Sequence, residues 1–170
     1  MAEHKMKKIQ VSQVTVNIGI GQVSDDVEKA KDLLEKVTGK QAVKTESKEG
    51  SKKFGVRSGL EIGAMVTLRD EEAEEFLEKV LPAAEGINKS SFDGNGNFGF
   101  GISEYIDVPG VEYDSDIGMM GFEVAVKLER PGYRVKKRDH KPNEIGKEHK
   151  VSDDEAIEFI EDRFEIEVSE

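Results

Sequence analysis

The chain contains no cysteine among its 170 residues. Disulfides, thiolate metal sites and a cysteine nucleophile are therefore excluded. No apolar run approaches the roughly 20 residues needed to span a bilayer. Residues 1–8 are charged and no apolar region follows them, so no secretory signal and no membrane partner are expected. A cytoplasmic location follows as the expectation. Tryptophan is missing and aromatic residues make up only 6% of the chain. Apolar residues account for 36% and charged residues for another 36%, so the core of this single-domain length should be modest.

Catalytic signatures are equally scarce. No Ser-His-Asp set and no glycine-lysine-serine/threonine phosphate loop is present, and carboxylates are too plentiful for one acid–base pair to stand out. His140 and His149 lie in a basic stretch without cysteines or tight ligand spacing, which favours exposed or phosphate-contacting rings over metal ligands. No metal, cofactor or catalytic residue is expected. Gly19-Ile20-Gly21 before a helix begins a G-x-G-x-x-G pattern, but the sixth position is Ser24 and no repeating βαβ pattern follows. An amide nest at that turn still leaves a phosphate site open, and with it the alternative of a small nucleotide-binding enzyme.

What the chain does have is segregated charge. Its formal net charge is −11. Yet residues 127–150 hold nine basic and four acidic residues, and residues 40–57 hold six basic and two acidic ones. The charged N-terminus adds a third basic run. A positive surface on a repellent acidic body suits selective phosphate contact, and Lys136, Lys137 and Arg138 are its densest cluster. The acidic remainder also suits a salt-rich cytoplasm.

Periodicity supplies the elements. Val14, Val16 and Ile18 alternate with Gln13, Thr15 and Asn17 in a first strand. Ser24 reads as the N-cap of a helix over 25–38 with Val27, Ala30, Leu33, Leu34 and Val37 as its stripe, stopped by Gly39. A short strand over 42–45 precedes a basic, glycine-bearing loop over 47–59, expected to be mobile in the free protein. Ile62, Ala64, Val66 and Leu68 mark a third strand, and Asp70 caps a second helix carrying Ala73, Phe76, Leu77, Val80 and Leu81. Asp93-Gly94 and Asn95-Gly96 form a turn, after which Phe98, Phe100 and Ile102 alternate with Asn97, Gly99 and Gly101. An acidic connection over 104–118 leads to a strand with Phe122, Val124, Val126 and Leu128. Residues 133–150 lack a period and read as a basic loop. Ser152 to Glu155 form a capping box, followed by a last helix with Ala156, Ile157, Phe159, Ile160 and Phe164.

The order β-α-β-β-α-β-β-α predicts a single α+β domain, with a mostly antiparallel sheet, helices on one face and the other face free. Asn17, Gly63, Thr67, Arg69, Asn97, Gly99 and Gly101 fall opposite the apolar alternation. Short polar groups and glycines admit a close RNA backbone, Arg69 supplies charge, and Asn17 and Thr67 supply hydrogen bonds.

Five blocks then carry a resemblance: N-I-G-I-G from Asn17, I-G-A-M-V-T-L-R from Ile62, S-F-D-G-N-G-N-F from Ser91, R-P-G-Y-R-V-K-K-R from Arg130 and I-G-K-E-H-K-V-S-D-D-E-A from Ile145. In order and spacing they resemble the fifth-protein family of the large ribosomal subunit, which binds 5S rRNA in the central protuberance, and its archaeal and eukaryotic branch in particular. The resemblance implies a non-enzymatic RNA-binding constituent whose sheet face docks on 5S rRNA. Asn17, Gln41, Phe54, Thr67 and Arg69 match the family's contact pattern, and Ser91, Asp93, Gly96 and Asn97 belong to its glycine-rich block. It also implies that the 47–59 loop, with Lys48, Lys52, Lys53 and Arg57, reaches the elbow of peptidyl-site tRNA. Further partners so implied are large-subunit rRNA, neighbouring large-subunit proteins and a small-subunit head protein, met across an intersubunit bridge. At Gly50-Ser51-Lys52-Lys53 the chain departs from more basic relatives.

Overall fold

The computed structural model describes residues 4–21, 24–48, 53, 55–84, 86–166 and 168–169. In chain order the elements are β1 (Gln10–Gly19), α1 (Asp26–Thr38), β2 (Val43–Glu46), β3 (Glu61–Arg69), α2 (Glu71–Val80), β4 (Ile87–Asn88), β5 (Phe98–Ile102), β6 (Phe122–Glu129), α3 (Arg134–Lys137), α4 (Asp153–Phe164) and β7 (Val168–Ser169). Five strands form one antiparallel sheet in the order β2-β3-β1-β6-β5, while β4 and β7 pair in parallel apart from it. This is the expected α+β domain. The short β4–β7 pair has no counterpart in the sequence pattern, because two-residue strands carry no alternation.

The helices form because their apolar residues recur at helical spacing. Val27, Ala30, Leu33, Leu34 and Val37 of α1 are all buried, as are Ala73, Phe76, Leu77 and Val80 of α2. They cover the side of the sheet that carries Val14, Val16, Val66, Leu68, Val124 and Val126, and Ala156 and Ile160 of α4 complete the same core. Burying such side chains contributes about 1.5–3 kcal/mol each, so this layer supplies most of the stabilisation.

Helix ends differ from expectation at two points. The N-cap of α1 is Asp25, not Ser24, whose hydroxyl donates instead to Asp26 Oδ2 at 3.1 Å. Asp70 precedes α2 at a φ of 54° without a side-chain capping bond; its carbonyl accepts from Ala73 and Glu74. The capping box at α4 is as expected, with Ser152 and Glu155 each bonding the other's backbone amide. Gly39 ends α1 in the left-handed region at φ 68°. The segment 133–150 is more ordered than a loop. It holds the single turn α3 and a 3-10 turn at Lys147–His149.

Candidate nucleic-acid interface

Strand register arranges the uncovered side of the sheet into rows. Because side chains alternate along a strand, partners in register share a face. One row runs across all five strands: Val43, Met65, Asn17, Glu123 and Gly101. The next holds Thr67, Thr15, Ala125 and Gly99, and a third holds Arg69, Gln13 and Lys127. On β3 and β1 the face thus carries short neutral hydrogen-bonding groups at Thr67, Thr15 and Asn17, with the exposed Glu123 carboxylate beside Asn17 on β6. Gln13 Nε2 donates to Thr15 Oγ1 at 3.1 Å, ordering two of them. Val43, 55% exposed, and Met65 make one corner apolar, while Arg69 puts an exposed cation at the rim.

The glycines of this face have different reasons. A Cβ at Gly101 would meet nothing within 4 Å, so its bareness leaves real space for a ligand. At Gly63 the reason is internal: a Cβ there would lie 2.4 Å from the Ile18 carbonyl oxygen and 2.9 Å from Thr45 Oγ1. Gly63 therefore serves the close pairing of β1 with β3, and not a ligand's approach as its place in the alternation suggested.

The predicted residues gather in three places. Asn17, Thr67 and Arg69 lie on the adjacent strands β1 and β3. Asn17 also shares an open groove of about 680 Å³ with Ser91, Gly99 and Gly101. Asp93 and Asn97 line a second hollow of about 570 Å³ together with Lys136 and Lys137. Gln41 stands exposed in the connection between α1 and β2, outside the strand ladder. Phe54 and Lys52 lie outside the described residues. Lys48, Lys53 and Arg57 are exposed.

The glycine-rich turn is built from within. Asp93 accepts hydrogen bonds from the Asn95 amide at 2.9 Å, the Asn97 amide at 3.1 Å and Asn97 Nδ2 at 2.7 Å. Burial opposes the charge on Asp93, but the bonds from Asn97 and Asn95 outweigh it and hold the carboxyl below its ordinary value. Gly96 is buried at φ 78°, and a Cβ there would meet the Val151 side chain at 2.7 Å. Its role is packing.

The basic segment carries less free charge than its composition suggests. Lys137 and Lys127 both pair with the Glu129 carboxylate, at 3.2 and 2.6 Å, and Ser12 Oγ donates to the same carboxylate at 2.7 Å. Arg138 Nε donates to the neutral Lys141 carbonyl, so Lys136 and Arg138 are both exposed and without an ion pair among the described residues. His140 is exposed as expected. His149 is not a free phosphate ligand: its ring lies 6.1 Å from that of Tyr133, and Nε2 is 2.9 Å from the Pro131 carbonyl.

Glu129 makes this cluster sensitive to acid. Burial opposes its charge, yet the bonds from Lys127, Ser12 and Lys137 prevail, so its pKa lies below the ordinary 4.5. A carboxyl with a depressed folded-state pKa stabilises the fold above its unfolded value and loses that contribution as pH falls through the folded value. The urea midpoint should therefore stay level from pH 7 to about 5 and fall below about 4.5. Glu129→Gln should flatten part of that acid decline; an identical decline in the variant would show that the cluster does not contribute.

The phosphate nest at Gly19 to Gly21 does not exist. The amides of Ile20 and Gly21 both donate to the Ile62 carbonyl, at 2.9 and 3.1 Å, so neither is available to an anion. Asp25, Asp26 and Glu28 then crowd the start of α1 with negative charge. The nucleotide-enzyme alternative loses its only foothold. Among the described residues, no cluster of three or more histidine, aspartate or glutamate residues is placed to hold a metal.

A family model for the C-terminus of the ribosomal L5 family matches residues 61–166, and that of ribosomal protein L5 itself matches residues 4–57. The chain belongs to the ribosomal protein L5 family. It resembles the large ribosomal subunit protein uL5 of Sulfolobus acidocaldarius, 43% identical over 99% of this chain and 95% of that protein. The uL5 of Sulfurisphaera tokodaii is 46% identical over 97% and 94%, and that of Nanoarchaeum equitans 44% identical over 98% and 99%. Membership in the L5 family makes this a ribosomal protein of archaeal type. The family is structural and non-enzymatic, and its place is the ribosome in the cytoplasm.

Several residues of this L5-family chain that shape the interface escaped sequence reading. Thr15 and Gln13, in the same alternation as Asn17, join it on the open face through the register of β1 with β3. Ser47 had no such signal. Its buried hydroxyl donates to the Arg57 carbonyl and accepts from the Leu60 amide, while its amide and carbonyl bond Leu60 and Gly59. One serine thus closes the neck of the basic loop.

Proposed function

We propose that the protein is a structural constituent of the archaeal large ribosomal subunit that docks on 5S rRNA through the open sheet face and helps fix that RNA to the subunit body. The observation that carries this reading is the row structure of β3 and β1: Thr67, Thr15, Asn17 and Gln13 offer short neutral hydrogen-bonding groups beside glycine-made space, with Arg69 at the rim. Such a surface suits RNA at close range, where hydroxyls and base edges are within reach. Ser91, Asp93 and Asn97 continue the face as the glycine-rich turn, whose shape Gly96 permits from within, with Gln41 and Phe54 as flanking contacts and Lys136, Lys137 and Arg138 as the basic side. The loop over 47–59 contacts peptidyl-site tRNA through Lys48, Lys52, Lys53 and Arg57. Large-subunit rRNA, neighbouring proteins and a small-subunit head protein complete the partners. The L5 family membership and the large-subunit names of the relatives support this reading.

Thr67→Leu tests it. The change fills the space beside Thr15 and removes a hydroxyl from the centre of the face. A filter-binding titration with 5S rRNA should show about 1–3 kcal/mol of lost affinity. Unchanged affinity, with the circular dichroism spectrum intact, discards this face as the docking site.

A further inference from the structure

We infer that Asp153, at the start of α4, is a positioning residue for RNA binding, acting through the glycine-rich turn that it grips from outside. This rests on the reading of the sheet face and turn as the 5S rRNA site. Asp153 Oδ2 accepts from the Gly94 amide and Oδ1 from the Gly96 amide, both at 3.1 Å. The two glycines sit at φ 80° and 78°, where they have no side chains of their own to restrain the turn. Val151, two residues before Asp153, closes against Gly96 from the same side.

The grip is itself anchored. Asp153 follows Ser152 in the capping box, and Glu155 of that box pairs with the buried Arg130 at 2.7 Å. Asp93 holds the turn through Asn95 and Asn97, so two carboxylates together engage the successive amides of Gly94, Asn95, Gly96 and Asn97. The consequence is chemical as well as geometric. With the Gly94 and Gly96 amides engaged by a carboxylate, the turn backbone is not an anion nest, and RNA meets the Asn95 and Asn97 side chains instead. Asn97 Nδ2 is held by Asp93, which leaves its Oδ1 without a partner among the described residues and able to accept from a ribose hydroxyl or a base amine. Asp153 touches no RNA in this arrangement. It fixes where Asn97 stands.

The test is a double-mutant cycle on the full chain, with equilibrium binding to 5S rRNA and amide exchange as readouts. Asp153→Ala should raise Kd about 10-fold, a typical coupling for residues sharing one network. Exchange at Gly94 and Gly96 should quicken while amides of β1, β3 and α4 stay protected. In an Asn97→Ala background the same substitution should change Kd less than about twofold, because the group it positions is gone. A merely structural role would not produce that non-additivity. If Asp153→Ala unfolds the chain, Asp153→Asn, which keeps one acceptor oxygen, should fall between wild type and loss. Wild-type affinity in Asp153→Ala or Asp153→Asn alongside weakened Thr67→Leu overturns the positioning role alone, as do effects that simply multiply in the double variant. Absence of 5S rRNA binding by the wild type, or an indifferent Thr67→Leu, overturns the reading of the face and the positioning role with it.

Discussion

Arg130→Ala is expected to lower the free energy of unfolding by about 2–4 kcal/mol, because the hydrogen bonds donated by one buried, charged guanidinium are lost together. Arg130 is only 9% exposed and uses its whole guanidinium. Nε donates to the Lys7 carbonyl at 3.0 Å, and Nη1 donates to the carbonyls of Glu148 at 3.3 Å and Lys150 at 3.1 Å. Nη2 pairs with Glu155 at 2.7 Å. One side chain therefore ties together the N-terminal segment, the end of the basic segment and the cap of α4. Alanine would remove the donor from three carbonyls and from Glu155 Oε1, while Glu155 Oε2 keeps its bond from the Ser152 amide, and unmade bonds cost more than made ones contribute. Lysine keeps the charge but lacks the planar fork, so Arg130→Lys should recover less than half of the loss. Urea unfolding followed by circular dichroism measures both. A loss below about 1 kcal/mol for alanine would place the hub among surface ion pairs of little weight.

Gly63→Val is expected to destabilise the sheet by about 3 kcal/mol, at the upper end of overpacking penalties. The obstacle is backbone. The first side-chain carbon would stand 2.4 Å from the Ile18 carbonyl oxygen, and a carbonyl engaged between paired strands cannot rotate aside as a side chain could. Valine adds two further carbons beside Thr45 Oγ1, itself 2.9 Å away. The strands must part, and the register that sets Asn17 opposite Met65 and Thr15 opposite Thr67 is disturbed with them. RNA affinity should therefore fall in the same variant. Gly101→Ala is the control, since a Cβ there meets nothing within 4 Å, and its unfolding midpoint should stay close to that of the wild type. Equal midpoints for Gly63→Val and Gly101→Ala in a denaturant titration would refute this account of β1–β3 pairing.

Neither residue advertised its role in the chain. Arg130 stands in an Arg-Pro-Gly turn amid basic neighbours, and nothing local separates a buried guanidinium from an exposed one. Its depth follows from three segments, remote in sequence, closing over it. Gly63 stands on the bare side of a clear alternation, and close approach by a neighbouring strand leaves the same mark in a sequence as close approach by a ligand. The shift of the α1 cap from Ser24 to Asp25 is of another kind. Serine, aspartate and aspartate in succession all cap well, and which one does so depends on where the chain enters the helix.

By itself the chain determined what short-range periodicity can carry. The apolar stripes of α1 and α2, the alternation in β1, β3, β5 and β6, the turn at Asp93 to Gly96 and the capping box at Ser152 all report local geometry, so they stand in the sequence in plain order. From the same alternation came an uncovered sheet face holding Asn17, Thr67 and Arg69, and the family blocks came with it. Tertiary structure alone decided which strands adjoin, and hence which residues form rows. It also decided which charges are spent on one another, as Lys127 and Lys137 are on Glu129, and which amides are already engaged, as those of Ile20, Gly21, Gly94 and Gly96 are. Hydrogen bonds and ion pairs between distant segments have no period. They exist only once packing of the apolar faces has brought those segments within about 3 Å of each other.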